Sequence, residues 1–370
     1  MTPLAGLKVV ELARILAGPW IGQALADLGA EVIKVEAPEG DDTRRWGPPF
    51  IERDGDVSAA YFYAANRGKH SVVADFRTAE GQARVRELVA DADILVENFK
   101  LGGLAKYGLD YDSLQALNPR LIYCSITGFG QTGPYASRAG YDFLIQGMSG
   151  LMSVTGEPDR QPQKVGVAVT DIVTGLYGAV GILAAVEQRH RTGRGQHIDM
   201  SLLDCATAMM ANQAMNYLAT GEPPTRRGNA HPNIVPYQVL PTADGHIIVA
   251  VGNDGQFRRF CEVLGQPSLA DHPSYATNAA RVENRVALTD FLEPLTGRWP
   301  SAELLAALEA ATVPAGPIND MAGVFADPQV IARGLRITPE GIPGVRGPWR
   351  FSDAELALDK SAPKLGEQDP

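Results

Sequence analysis

Cysteine is scarce in this chain: only Cys124, Cys205 and Cys261 occur in 370 residues, and no two stand in CxxC spacing. That excludes a disulfide framework and a thiolate zinc site, and it fits a reducing, cytoplasmic compartment. Histidine is nearly as sparse. The six are dispersed and never paired at metal-binding spacing, so no metal is expected. The P-loop signature and the G-x-S-x-G elbow are both missing, which removes the usual sequence support for phosphoryl transfer and serine hydrolysis. Positive charge is also in deficit. A net charge of -10 argues against a surface built for nucleic acid or anionic lipid, so any anionic ligand has to find local cations. No apolar run reaches the roughly 18 residues of a membrane helix, and the chain opens on LKVVEL without the charged and apolar regions of a signal peptide. Neither export nor membrane insertion is expected.

What is present is a hydrophobic content of 45%, ample for about two domains with real cores. GLKVVEL reads as a strand, AGPWIGQALADLGA as a helix with Pro19 near its start, and EVIKVE as a second strand, together a βαβ unit. The pattern repeats through HSVVADF, TAEGQARVRELVADA, DILVEN, a helix around residues 111–117 and LIYCSITGFG. This predicts an α/β fold with a mostly parallel sheet covered on both faces. A strand in TGRGQHIDMSLLD should feed a Met-rich helix over residues 206–218, whose stripe suits core or subunit contact. At residues 221–233, GEPPTRRGNAHPN is rich in Pro, Gly and charge and marks a linker or active-site loop. Beyond it YQVLPTADGHIIVAVG reads as a hairpin turning at Asp244-Gly245, followed by helices. The expected organisation is a large domain over residues 1–220, with the tail 328–370 returning to it, and a smaller α+β domain over residues 221–327.

GFGQTG, residues 128–133, satisfies G-x-G-x-x-G but is followed by Pro134 where a helix should already run, so it reads as a glycine-rich turn. A second junction carries more. Asp171 stands between the strand-like run VGVAV and the long small-residue pattern DIVTGLYGAVGILAAVEQRH. Thr170 and Asp171 are placed to cap that helix; equally, the positive helix end would keep the carboxylate ionised and able to attack as a nucleophile. The residues of this window leave both readings open. His231, in the glycine-rich loop, is the one histidine with a candidate role.

Several segments, in order along nearly the whole chain, resemble the class III (CaiB/BaiF-type) CoA-transferases, the group that includes formyl-CoA transferase, carnitine CoA-transferase and α-methylacyl-CoA racemase. They are RILAGPWIGQALADLGAEVIKVEAPEGDDTRRWGPPF, NRGKHSVVADF, VENFKLGGLAKYGLDY, YCSITGFGQTGP, RAGYDF, VGVAVTDIVTGLYGAVGILAA and TGRGQHIDMSLLD. The resemblance implies a Rossmann-like open-sheet domain plus a small α+β domain, two chains forming an interlocked homodimer. It also implies an acyl-CoA and a carboxylic acid as substrates, with no permanently bound cofactor. Asp171 falls on the family's catalytic aspartate, and the CoA site would comprise Arg14, Ile15, Ala17, Ala74, Phe76, Asn98, Phe99, Gly103, Lys106 and Tyr141. Ala37 departs from the pattern, standing where some members place a nucleotide-contacting arginine.

Two departures point to a subfamily. Tyr141 replaces the histidine that gives racemase members an acid-base pair, although racemisation of a 2-methylacyl-CoA remains the alternative activity. RRGNAHPNIVPYQ replaces the glycine run of formyl-CoA transferases. GDDTRRWGPPF, NIVPYQ and AGPIND are most similar to succinyl-CoA:dicarboxylate transferases of the glutarate type. A dicarboxylate leaves one carboxylate free while the other reacts, and Arg44, Arg45 and Arg138 are candidate cations for it, Arg44 or Arg138 foremost, with His231 a further candidate on the substrate side.

Overall fold

A computed structural model describes residues 1–369. The chain divides into two compact units: residues 1–151, 164–222 and 328 onward form the first, and residues 152–163 and 223–327 the second. The tail therefore belongs to the large unit. The short segment 152–163 belongs to the small one, which the composition of the chain gives no sign of.

In the first unit, strands β1 (Lys8–Glu11), β2 (Glu31–Glu36), β3 (His70–Val73), β4 (Ile94–Glu97), β5 (Ile122–Thr127) and β6 (His197–Ser201) form one sheet in the order β3-β2-β1-β4-β5-β6. Every pairing is parallel, with Val9 opposite Val32 on one side and Ile94 on the other. Short runs such as ILVE are buried along their whole length, because helices cover both faces. On one face α1 (Ala17–Asp27) and α5 (Val169–Thr192) pack Ile21, Leu25 and Ile182 against Val9, Val32 and Ile122. On the other, α2 (Ala79–Ala90) and α3 (Tyr111–Leu117) pack Val85, Val89 and Leu114 against Val10, Leu95 and Tyr123. The small residues of α5 have a packing reason. A Cβ at Gly178 would lie 2.5 Å from Ile21 Cδ1, so the close approach of α5 to α1 requires glycine there.

Three expectations change. VGVAV is not a strand: residues 165–168 are irregular and the helix begins at Val169. The Met-rich stretch is two helices, α6 (Leu202–Met209) and α7 (Ala211–Thr220), broken where Ala211 takes φ 43. And α5 is long and apolar enough to cross a membrane by length and composition alone, with 39% of its apolar window buried within the chain. Scattered glycines and alanines hide that run from a search for bulky apolar stretches.

In the second unit β7 (Tyr237–Thr242) and β8 (Gly245–Ala250) form the expected antiparallel hairpin, extended by β9 (Ala315–Pro317). Helices at Asp254–Val263, Arg285–Thr296 and Ser301–Ala310 bury Phe257, Leu288 and Leu304 against Leu240, Ile247 and Val249.

Candidate active site

An open parallel sheet with this strand order changes direction between β1 and β4, and the segments leaving the C-terminal ends of those strands must diverge there, opening a crevice. A cleft of about 620 Å³ occupies that place. The turn after β1 contributes Arg14, Ile15 and Ala17; the segment after β3 contributes Ala74 and Phe76; the segment after β4 contributes Asn98, Phe99, Gly103 and Lys106. Arg138 and Tyr141 enter from the approach to α4 (Asp142–Met148), and Asp171 from the first turn of α5. Sequence positions as far apart as Arg14 and Leu202 thus line one cleft because the sheet brings its strand ends together.

The walls are tied by specific contacts. Asn98 clamps the first turn, its Oδ1 accepting from Arg14 N at 2.9 Å and its Nδ2 donating to Arg14 O at 2.6 Å. Phe76 packs edge-to-face on Phe99 and on Tyr107, each at 5.5 Å, and Lys106 lies 4.7 Å above the Tyr107 ring. This aromatic and cationic patch suits a planar heterocycle carrying phosphate. Arg138 lies 4.5 Å over the Tyr135 ring and 5.5 Å from that of Phe129, while Arg14 and Arg77 are paired with Asp42 and Asp75. Tyr141 is 68% exposed and Ala37 also lines the cleft.

Asp171 departs from the expectation that the helix end keeps it ionised. Its carboxyl is pushed up to about 7, by burial first and then by the negative charge of Asp142. Nor does it cap the helix. Asp142 does that from α4, accepting from Thr170 N at 2.8 Å and Thr170 Oγ1 at 2.7 Å, while Gln146 Nε2 donates to it at 2.7 Å. Asp142 was visible only as one letter of the AGYDF segment, and no local signal ties it to Asp171. Tyr61 does not line the cleft, yet burial and then the charge of Asp171 raise its hydroxyl pKa.

Arg44 corrects the sequence reading. It is 6% exposed, paired with Glu36 at 2.6 Å and 2.8 Å, and lies 3.7 Å over the Phe62 ring, so its guanidinium is already engaged and does not line the cleft. Arg45 pairs with Asp42 at 3.0 Å. His231 lies in the second unit, 5.2 Å from the Tyr237 ring, with Nδ1 accepting from Asn233 N at 3.1 Å. Burial and then the neighbouring Arg285 push its pKa down. A smaller cavity of about 250 Å³ shares Phe99 and Lys100 with the cleft and is lined by Glu97, Ser125 and His197. Among the described residues no cluster of three or more His, Cys, Asp or Glu side chains could hold a metal ion.

The fold and the cleft define a Rossmann-like α/β protein with a half-buried carboxylate, Asp171, on the wall of a cleft at a sheet switch point. Residues 4–369 match the model of CoA-transferase family III, and the chain belongs to that family. It is 61% identical over 373 residues to a succinate–glutarate CoA-transferase of Agrobacterium fabrum, covering 99% of this chain and 93% of that protein. It is 43% identical over 376 residues to the human succinyl-CoA:glutarate CoA-transferase, covering 99% of this chain and 84% of that one. A crystal structure of a CAIB/BAIF family protein from Brucella suis is 65% identical, with a TM-score of 0.90 over 99% of this chain and 97% of the other.

Proposed function

We propose that this CoA-transferase moves CoA from succinyl-CoA to a short dicarboxylic acid of the glutarate class through covalent intermediates on Asp171. The observation that carries the reading is a carboxylate on the wall of a cleft whose far walls suit a nucleotide, in a chain 61% identical to a succinate–glutarate enzyme. An Asp171 oxygen attacks the thioester carbonyl, the C–S bond breaks, and CoA thiolate leaves behind a mixed anhydride. The thiolate then attacks the Asp171 carbonyl, releasing succinate and leaving an aspartyl-CoA thioester. The acceptor carboxylate attacks that thioester, expelling thiolate and forming a second anhydride. Thiolate attack on the acceptor acyl carbon gives the new acyl-CoA and regenerates Asp171. One thioester replaces another, so the exchange has no need of an external energy source.

Arg138 is the cleft arginine with no carboxylate partner among the described residues, and we assign it to the substrate's free carboxylate. Arg138→Ala should raise the acceptor KM and, because the succinyl group also ends in a free carboxylate, that of succinyl-CoA as well; an unchanged acceptor KM would overturn the assignment. No histidine lines the cleft among the described residues, so α-proton exchange lacks the imidazole base it would use. Leu176, Tyr177 and Val180 on α5 and Met215, Tyr217 and Leu218 on α7 are exposed, which supports burial of both helices in a homodimer, interlocked as in the family. Light scattering of the purified protein tests this; a monomer at micromolar concentration would refute it. The three cysteines are free and buried, consistent with a reducing cytoplasm.

The deciding experiment is intact-protein mass spectrometry after incubation with succinyl-CoA. A hydroxylamine-sensitive adduct on wild type, absent from Asp171→Ala and discharged by glutarate, is expected. Absence of any adduct while CoA still binds would overturn the mechanism.

A further inference from the structure

Ile15, on the cleft wall, has φ 72, a left-handed conformation that β-branched residues avoid because Cβ crowds the following carbonyl. Its surroundings hold it there. Ile15 N donates to both Asp41 oxygens at 3.4 and 3.3 Å, and Ala13 O, just before the turn, accepts from Lys34 Nζ at 2.9 Å. Just beyond it, Pro19 O accepts from Lys69 Nζ at 2.9 Å. The two lysines are joined by Glu11, whose Oε1 accepts from Lys34 at 3.1 Å and from Lys69 at 2.9 Å, and Lys34 also lies 2.9 Å from Asp41 Oδ2. None of the four side chains is more than 2% exposed, and none lines the cleft.

We infer that the buried cluster Glu11, Lys34, Asp41 and Lys69 positions the turn at residues 13–17, and that it sets affinity for the acyl-CoA while leaving the chemical step alone. The inference rests on the reading of the cleft as an acyl-CoA site. Two cations and two anions balance, so their charges neutralise one another where no water reaches. Such a set adds little net stability over apolar packing, whereas losing one member strands a charge. What it supplies is directed: an ammonium on either side of the turn binding a carbonyl, and a carboxylate binding the N–H between them. These donors and acceptors come from β1, β2, the turn after β2 and the segment before β3, so the turn takes its shape from the sheet. A turn already in its binding shape loses no conformational freedom when ligand arrives. Asp171 lies on α5 and takes no hydrogen bond from the cluster.

Steady-state kinetics with both substrates varied, on Lys34→Met, Asp41→Asn, Ile15→Gly and the Asp41→Asn/Ile15→Gly double variant, test the inference. Lys34→Met and Asp41→Asn should raise the acyl-CoA KM about tenfold or more, with kcat and acceptor KM held within about twofold. Glycine takes φ 72 without strain, so in the Ile15→Gly background Asp41→Asn should change the acyl-CoA KM by no more than about twofold. Strictly additive effects, or a loss confined to kcat, would overturn the inference. Should Lys34→Met fail to fold, the Asp41/Ile15 cycle decides alone. If wild type transfers CoA to no acceptor, the reading of the cleft fails instead, and the same ordering is sought in CoA dissociation constants by calorimetry, where unchanged values would overturn the positioning role.

Discussion

Glu36 and Asp171 are acids of the same unit, and they are treated in opposite ways. Burial works to raise the pKa of both. At Glu36 the Arg44 guanidinium and the Lys34 ammonium outweigh it, together with a 2.6 Å hydrogen bond from Ser71, and the carboxyl is held below its ordinary value. At Asp171 no cation answers, Asp142 adds a like charge, and the carboxyl stands at about 7. Burial alone therefore does not say what an acid is for; the partner does. Glu36 is consumed in holding β2, the turn after it and the edge strand together. Asp171 keeps an unneutralised carboxylate facing a cleft, more basic than a free one and correspondingly more nucleophilic once ionised.

The contrast can be broken most severely at its reactive end. Asp171→Ala removes the proposed nucleophile, and transfer measured by product chromatography should fall at least about 10⁴-fold with the fold intact by circular dichroism. At the structural end, Glu36→Gln leaves Arg44 buried without its counter-charge. Urea unfolding should show a loss of about 3–5 kcal/mol, and a midpoint unchanged within error would deny the pair its structural role. The third change sharpens the difference by reversing its sign. A carboxyl whose folded pKa lies above its unfolded value near 4 binds its proton more tightly in the native state, so stability falls as pH rises from about 4 through about 7. Asp171→Asn removes that penalty, and at pH 8 it should be more stable than wild type by about 2 kcal/mol, with the gap closing toward pH 4. Parallel urea titrations at both pH values check this. The smallest effect is electrostatic. At subsaturating succinyl-CoA the single-turnover rate of adduct formation should rise with pH through about 7, where burial and Asp142 push the Asp171 carboxyl. In Asp142→Asn, where Oδ1 still accepts from Thr170, the midpoint should move down by less than about one unit. A midpoint that stays in place would mean that burial alone raises Asp171.

Much of the cleft could be read from the chain through the resemblance that its matched segments carry, while local periodicity supplied the strands that several of those segments follow. Residues 111–117 form a helix, and the Asp244-Gly245 turn closes a hairpin, for the same local reasons. Arg44 and Arg45 show where that reading stops. They are adjacent, equally charged and embedded in the same motif, yet one turns inward to Glu36 and the other pairs outward with Asp42. Nothing within a few residues distinguishes them, because the acid that decides lies on β2 and faces inward only once the sheet has formed. The capping of α5, left open by its own residues, is decided elsewhere for a similar reason: the side chain that satisfies Thr170 arrives from another helix.

The amino-acid sequence alone specified the repeated strand and helix pattern of the large unit, its parallel sheet and the hairpin of the small unit, since these depend on hydrophobic spacing and turn residues carried within a few positions, while Asp171 was singled out by the resemblance of its segment. Only the tertiary structure decided the protonation of Asp171, the employment of Arg44 and the left-handed turn at Ile15. Each is set by desolvation and by charges drawn from distant parts of the chain, and both vary with distances that exist only after folding.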